Sequence, residues 1–100
     1  MTTDVPSQPL ISDLAIHPGE FLAEEIAARG LSQKELARLL GRSPQVVNEI
    51  VRGKKAITPA TAVGLERALP GLSARYWLNL QVDYELTLAY QEAARQRPPA

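Results

Sequence analysis

The stretch SQKELARLLGRSPQVVNEIVRG, residues 32–53, decides how this chain folds. It contains two short runs with helical apolar spacing, separated by Gly41-Arg42-Ser43. The first opens with Ser32-Gln33-Lys34-Glu35, a capping box in which the serine and the glutamate satisfy each other's free backbone donors. It closes at Gly41, a residue suited to the left-handed conformation that ends a helix. The second run opens at Ser43-Pro44. Serine is a good N-cap, and proline loses nothing at a first helical position, where its missing N–H would be unpaired anyway. This run reaches Arg52 and stops at Gly53. Two helices of about eight residues on a tight turn form a helix-turn-helix arrangement. Ala37 is small where the helices cross, Gly41 permits the turn, and Val47 and Ile50 plug the angle between them. With Gln33, five positions sit at the offsets this arrangement requires. An ordinary helical hairpin meets the punctuation alone.

Charge supports the same reading. The chain has 100 residues, a formal net charge of +0 and no cysteine. That is one small domain without disulfides or thiolate metal sites. No apolar run is long enough to cross a bilayer, and the N-terminus lacks a signal-peptide pattern, so a cytoplasmic location is expected. Zero net charge argues against a nucleic-acid binder, but its distribution reverses the argument. Residues 1–31 carry Asp4, Asp13, Glu20, Glu24 and Glu25 against Arg29 alone. Residues 32–58 carry Lys34, Arg38, Arg42, Arg52, Lys54 and Lys55 against Glu35 and Glu49. The basic patch is local and coincides with the two helices.

Outward from this centre the punctuation continues. Residues 1–16 hold Pro6 and Pro9 and no helical period, and read as a flexible N-terminal arm. A first helix is expected from Pro18 to Arg29, burying Phe21, Leu22 and Ile26 and ending at Gly30. A fourth runs from Pro59, after Thr58 as N-cap, to about Leu69, closed by Pro70-Gly71. The last segment contains a conflict. Leu78, Leu80, Val82, Tyr84, Leu86, Leu88 and Tyr90 alternate strictly, which is the pattern of a strand. No other segment offers a pairing partner, however, and a lone strand leaves its backbone groups unpaired. Ser73 is also a fitting N-cap. Wound as a helix, Trp77, Leu80, Tyr84 and Leu88 form one stripe, and Leu78, Val82 and Leu86 form another. The heavier Trp77 stripe is expected to fill the core. Leu78, Val82 and Leu86, with Tyr90 near the edge, are left for a second subunit. The domain is expected over residues 17–94, followed by a tail at 95–100.

The outward positions of the third helix then acquire roles. In the major groove, base edges present a distinguishable code of donors and acceptors. Gln45 suits adenine, Val46 a thymine methyl, and Glu49 a cytosine amino group. Gln33, Arg42, Ser43, Arg52, Lys54 and Lys55 suit phosphates, which position a protein without reading sequence. Asn48 fits either group, and is placed with the base readers.

Five motifs carry a family resemblance. They are His17-Pro18-Gly19-Glu20, Gly30-Leu31-Ser32-Gln33, Val47-Asn48-Glu49-Ile50, Gly53-Lys54-Lys55-Ala56-Ile57-Thr58 and Trp77-Leu78-Asn79-Leu80-Gln81. Over roughly residues 16–90 the chain resembles the HigA-type antitoxins, addiction-module antidotes of the XRE helix-turn-helix class. The resemblance implies an all-α, five-helix, lambda-repressor-like domain with a long C-terminal helix at residues 73–90. It also implies a homodimer on palindromic operator DNA, repression of the module's own promoter, and a RelE/HigB-like mRNA-cleaving toxin as partner. The arm before His17 is longer than the family's, and Ala74-Arg75 replaces a common proline–acid pair. A stand-alone XRE-type regulator without a toxin is the other reading. Catalysis finds no support: His17 is the single histidine and suits a cap, no nucleophile–base set or phosphate loop is visible, and neither metal nor cofactor is expected.

Overall fold

Each helix begins where a side chain supplies the acceptor that its first turn lacks. The computed structural model describes residues 14–96, so residues 1–13 of the expected arm and 97–100 of the expected tail lie outside it. The helices are α1 (Pro18–Ala28), α2 (Gln33–Leu40), α3 (Pro44–Val51), α4 (Pro59–Ala68) and α5 (Ala74–Gln96). At α1 the cap is His17, whose Nδ1 accepts from the Gly19 N–H at 2.9 Å. At α2 both halves of the capping box form: the Glu35 N–H donates to Ser32 Oγ at 3.0 Å, and the Ser32 N–H to Glu35 Oε1 at 2.8 Å. Accepting from the Ser32 N–H holds the Glu35 carboxyl below its usual range. Ser43, Thr58 and Ser73 accept from Val46, Thr61 and Tyr76 at the heads of α3, α4 and α5. Three of the five helices start on the expected proline.

The core draws on every helix: Leu22 and Ile26, Leu36 and Ala37, Val47 and Ile50, Ala62 and Leu65, and Trp77, with Ile57 and Leu69 from flanking turns. Trp77 is fully enclosed. Truncating such a side chain to alanine costs about 3–5 kcal/mol. Phe21, expected to be buried, is only half-buried. It packs on the edge of this core and lines a shallow cleft with Ile16, Leu80 and Tyr84.

The alternating segment is helical throughout, among described residues that contain no strand. The physical reason is geometric. Every second residue of a helix advances by about 200°, so strict alternation sorts its apolar residues onto two opposite faces. One face, built on Trp77, Leu80 and Tyr84, packs against α1 and α4. Three details differ from expectation. Leu88 lies at the exposed end of that stripe, 41% accessible. The second buried residue of α5 is the polar Gln81. Leu78 is half-buried against its own chain's core. Val82, Leu86 and Tyr90 on the far side are 48%, 48% and 55% accessible. The helix also runs two residues beyond the expected end of the domain.

Candidate nucleic-acid interface

The α2–α3 crossing is built as the sequence demanded. Ala37 is buried at the contact, and Val47 and Ile50 are enclosed beneath it. Gly41 has φ 69°, and the turn closes through Gly41 N–H to the Arg38 carbonyl (3.1 Å) and Arg42 N–H to the Ala37 carbonyl (2.9 Å). A second glycine matters more than its sequence suggests. The Gly19 backbone lies so close to the end of α3 that an added methyl would overlap the Ile50 carbonyl oxygen. This contact seats α1 directly on α3 and fixes the angle at which α3 is presented.

With Val47 and Ile50 facing inward, α3 turns Gln45, Asn48, Glu49 and Arg52 outward. Gln45 and Arg52 are exposed, while Asn48 and Glu49 are half-buried. The side chains form an ordered set. Gln45 Nε2 donates to Glu49 Oε2 at 3.3 Å along the helix. Asn48 Nδ2 donates to Gln33 Oε1 at 3.1 Å, tying α3 to the first turn of α2. Val46 is half-buried and packs on the core, which limits how far its methyls project. Ser43 Oγ accepts from the Val46 N–H, leaving its hydroxyl proton to donate outward.

Around this face lie the cations. Arg42 stands at the turn, its guanidinium 3.4 Å from Thr61 Oγ1. Beside it Lys34, Arg38 and Pro44 line a cleft of about 310 Å³, which adds two basic side chains left without a role in the sequence reading. Arg52 shares a second cleft of about 330 Å³ with His17, Glu20 and Tyr84. Lys54 and Lys55 are exposed on the α3–α4 loop, whose end is pinned from within: the Ile57 N–H donates to Gln81 Oε1 at 2.9 Å. His17 lies against the same loop, its ring carbon Cγ 3.6 Å from where a methyl on Gly53 would sit, and its ring meets Tyr84 edge-on at 4.9 Å. Burial lowers the His17 pKa, opposed by Glu20 and by the backbone at Lys55. Among the described residues, no group of three or more His, Cys, Asp or Glu is placed to hold a metal ion, and no helix is long and apolar enough to cross a membrane.

Residues 22–77, which include α2, the turn, α3 and the α3–α4 loop, match the helix-turn-helix family. The chain belongs to that family. Within it, this helix-turn-helix chain is 48% identical over 79 residues to virulence-associated protein I of Dichelobacter nodosus, covering 78% of this chain and 72% of that one. Two solved structures are also alike. One is the Pseudomonas aeruginosa antitoxin HigA with the higBA promoter: 39% identity, TM-score 0.76, covering 83% of this chain and 90% of the other. The other is an addiction-module antidote protein of the HigA family from Coxiella burnetii: 33% identity, TM-score 0.74, covering 86% and 98%. The five quoted motifs thus pointed to the right family, and its helical C-terminal segment is present.

Proposed function

We propose that this helix-turn-helix chain is the antitoxin of a toxin–antitoxin module. As a homodimer it binds a palindromic operator, represses its own promoter and neutralises a RelE/HigB-like mRNA-cleaving toxin. The observation that carries the reading is the outward face of α3, where Gln45 bonds Glu49 and Asn48 bonds Gln33, with Arg42, Ser43, Arg52, Lys54 and Lys55 exposed on the turns at either end of the helix. Its central polar side chains are already held by each other, and its rim is cationic. That division suits base reading at the centre and phosphate contacts at the edge. A HigA antitoxin similar over most of both chains was solved with the higBA promoter, which supports DNA as the ligand.

A monomer reads only a few base pairs, whereas a two-fold dimer spans half-sites about one helical turn apart, roughly 34 Å. Val82, Leu86 and Tyr90 give α5 an uncovered apolar side, and Leu78 borders it. These residues are the proposed seam. Footprinting of the DNA upstream of the chain's own coding sequence tests the repressor role, with a protected inverted repeat as the expected result. Co-expression with the adjacent reading frame tests the antitoxin role. Growth arrest by that neighbour, relieved by this chain, is expected; protection of the operator without any such rescue would leave a stand-alone regulator.

A further inference from the structure

The loop that carries Lys54 and Lys55 ends on a buried residue. Ile57 is enclosed in the core, yet its N–H has to be satisfied there, and no backbone acceptor of a helix serves it. Gln81 does so at 2.9 Å, from one helical turn below Trp77 on α5. The amide of Gln81 can face either way in principle, and Glu85 decides. Gln81 Nε2 donates to Glu85 Oε2 at 2.8 Å. A carboxylate only accepts, so the nitrogen must face Glu85 and the oxygen must face the loop. His17 also lies against this loop at Gly53, and itself leans on Tyr84 of α5.

We propose that Gln81, oriented by Glu85, is a positioning residue for DNA binding: it holds the Lys54-Lys55 loop in the shape that brings both ammonium groups to the phosphate backbone. This rests on the reading of those two lysines as phosphate contacts. The physical basis is preorganisation. A lysine on a loop already in place gives up less conformational freedom on binding than one whose loop must first be ordered. Without its acceptor, the Ile57 N–H is stranded in an apolar core and the loop swings out to hydrate it.

The test is the salt dependence of binding to a mixed-sequence duplex of about 30 base pairs, since each phosphate contact adds roughly 0.9 to the slope of log Kobs against log salt. In the parent, Lys54→Ala with Lys55→Ala should lower the slope by up to about 2 per protomer. Gln81→Leu, which leaves the net charge unchanged, should lower it similarly, and adding the two lysine substitutions to it should take away little more. The exchange of Gln81→Glu with Glu85→Gln also keeps the net charge. It restores an acceptor for Ile57 and a donor beside it, so it should recover the parent slope. A variant that merely loosened the fold would not be rescued in this way. Should Gln81→Leu not fold, Gln81→Asn, polar but one methylene short of the loop, takes its place with the same expected loss. A parent-like slope in the Gln81 variant, with a reduced slope in the lysine variant, overturns the positioning role. An unchanged slope in the lysine variant overturns the phosphate assignment beneath it.

Discussion

The contact between α1 and α3 makes Gly19→Ala the most informative single change. The added methyl meets backbone only: it overlaps the Ile50 carbonyl oxygen and lies 2.8 Å from the Ile50 carbonyl carbon and 3.0 Å from Val51 Cα. Ordinary contact begins at 3.4 Å, so relief from the carbon alone requires 0.6 Å of movement, and relief from the oxygen requires more. No rotamer change supplies it, because the obstruction is the last turn of α3 rather than a side chain. Either α1 lifts from α3 or α3 tilts. Overpacking a close interface costs typically about 1–3 kcal/mol, and a clash with rigid backbone belongs at the upper end. For a domain of this size each kcal/mol moves the melting temperature by about 4–8 °C, so a fall of roughly 12–24 °C is expected. Gly30→Ala is the control: its φ is +72°, but nothing lies within 4 Å of the added methyl, so only the left-handed penalty of about 1–2 kcal/mol applies. Thermal unfolding followed by circular dichroism measures both. A Gly19→Ala protein that melts within about 3 °C of the parent, or no lower than Gly30→Ala, refutes the close-approach argument.

Three further outcomes follow from the same geometry. His17 has a folded-state pKa below its ordinary 6.5 because burial disfavours the imidazolium, so the unfolded chain takes up the proton first; its stabilisation is present above pH 6.5 and is lost as pH falls through the folded value. Urea midpoints should therefore drop from pH 7.5 to 5.5, and His17→Asn, which keeps a capping oxygen, should flatten that dependence. Val82→Glu places a charge in the proposed seam and should weaken dimerisation by roughly a hundredfold or more in sedimentation, at about 1.4 kcal/mol per decade, without lowering the monomer's helicity. A protein that stays dimeric at parent concentrations moves the seam elsewhere. Arg52→Ala should weaken binding to all duplexes alike, whereas Gln45→Ala should relax discrimination at one base position by about 1–3 kcal/mol; equal losses on operator and random DNA would remove Gln45 from the readers.

What the sequence displayed most clearly was local chemistry. Ser32 and Glu35, Ser43-Pro44, Thr58-Pro59 and Gly41 mark helix ends through contacts within three or four residues, and each formed as its spacing required. What stayed hidden depends on partners far along the chain. Gly19 reads as a weak helix former, and its purpose lies at Ile50. Gln81 reads as a surface residue on a helix, and its burial is explained only by the N–H of Ile57, 24 positions away. Periodicity assigns Phe21 and Leu88 to the core, but it gives the direction of a side chain and not how far the neighbouring helices extend to cover it. The alternating run from Leu78 to Tyr90 misleads for a related reason. Alternation distinguishes two faces in a strand and also in a helix, and the absence of a pairing strand and the cap at Ser73 separate the cases.

Direct titration of this chain onto the duplex upstream of its own coding sequence, across a salt series, bears most closely on the claim that α2 and α3 dock on DNA. Binding should exceed that to a scrambled duplex of the same length by about a thousandfold or more. Its logarithm should fall linearly with log salt, with a slope near −0.9 for each phosphate contacted. Equal, weak binding to both duplexes, or an affinity that ignores salt between 50 and 200 mM, would contradict the assignment of this basic, polar face to DNA.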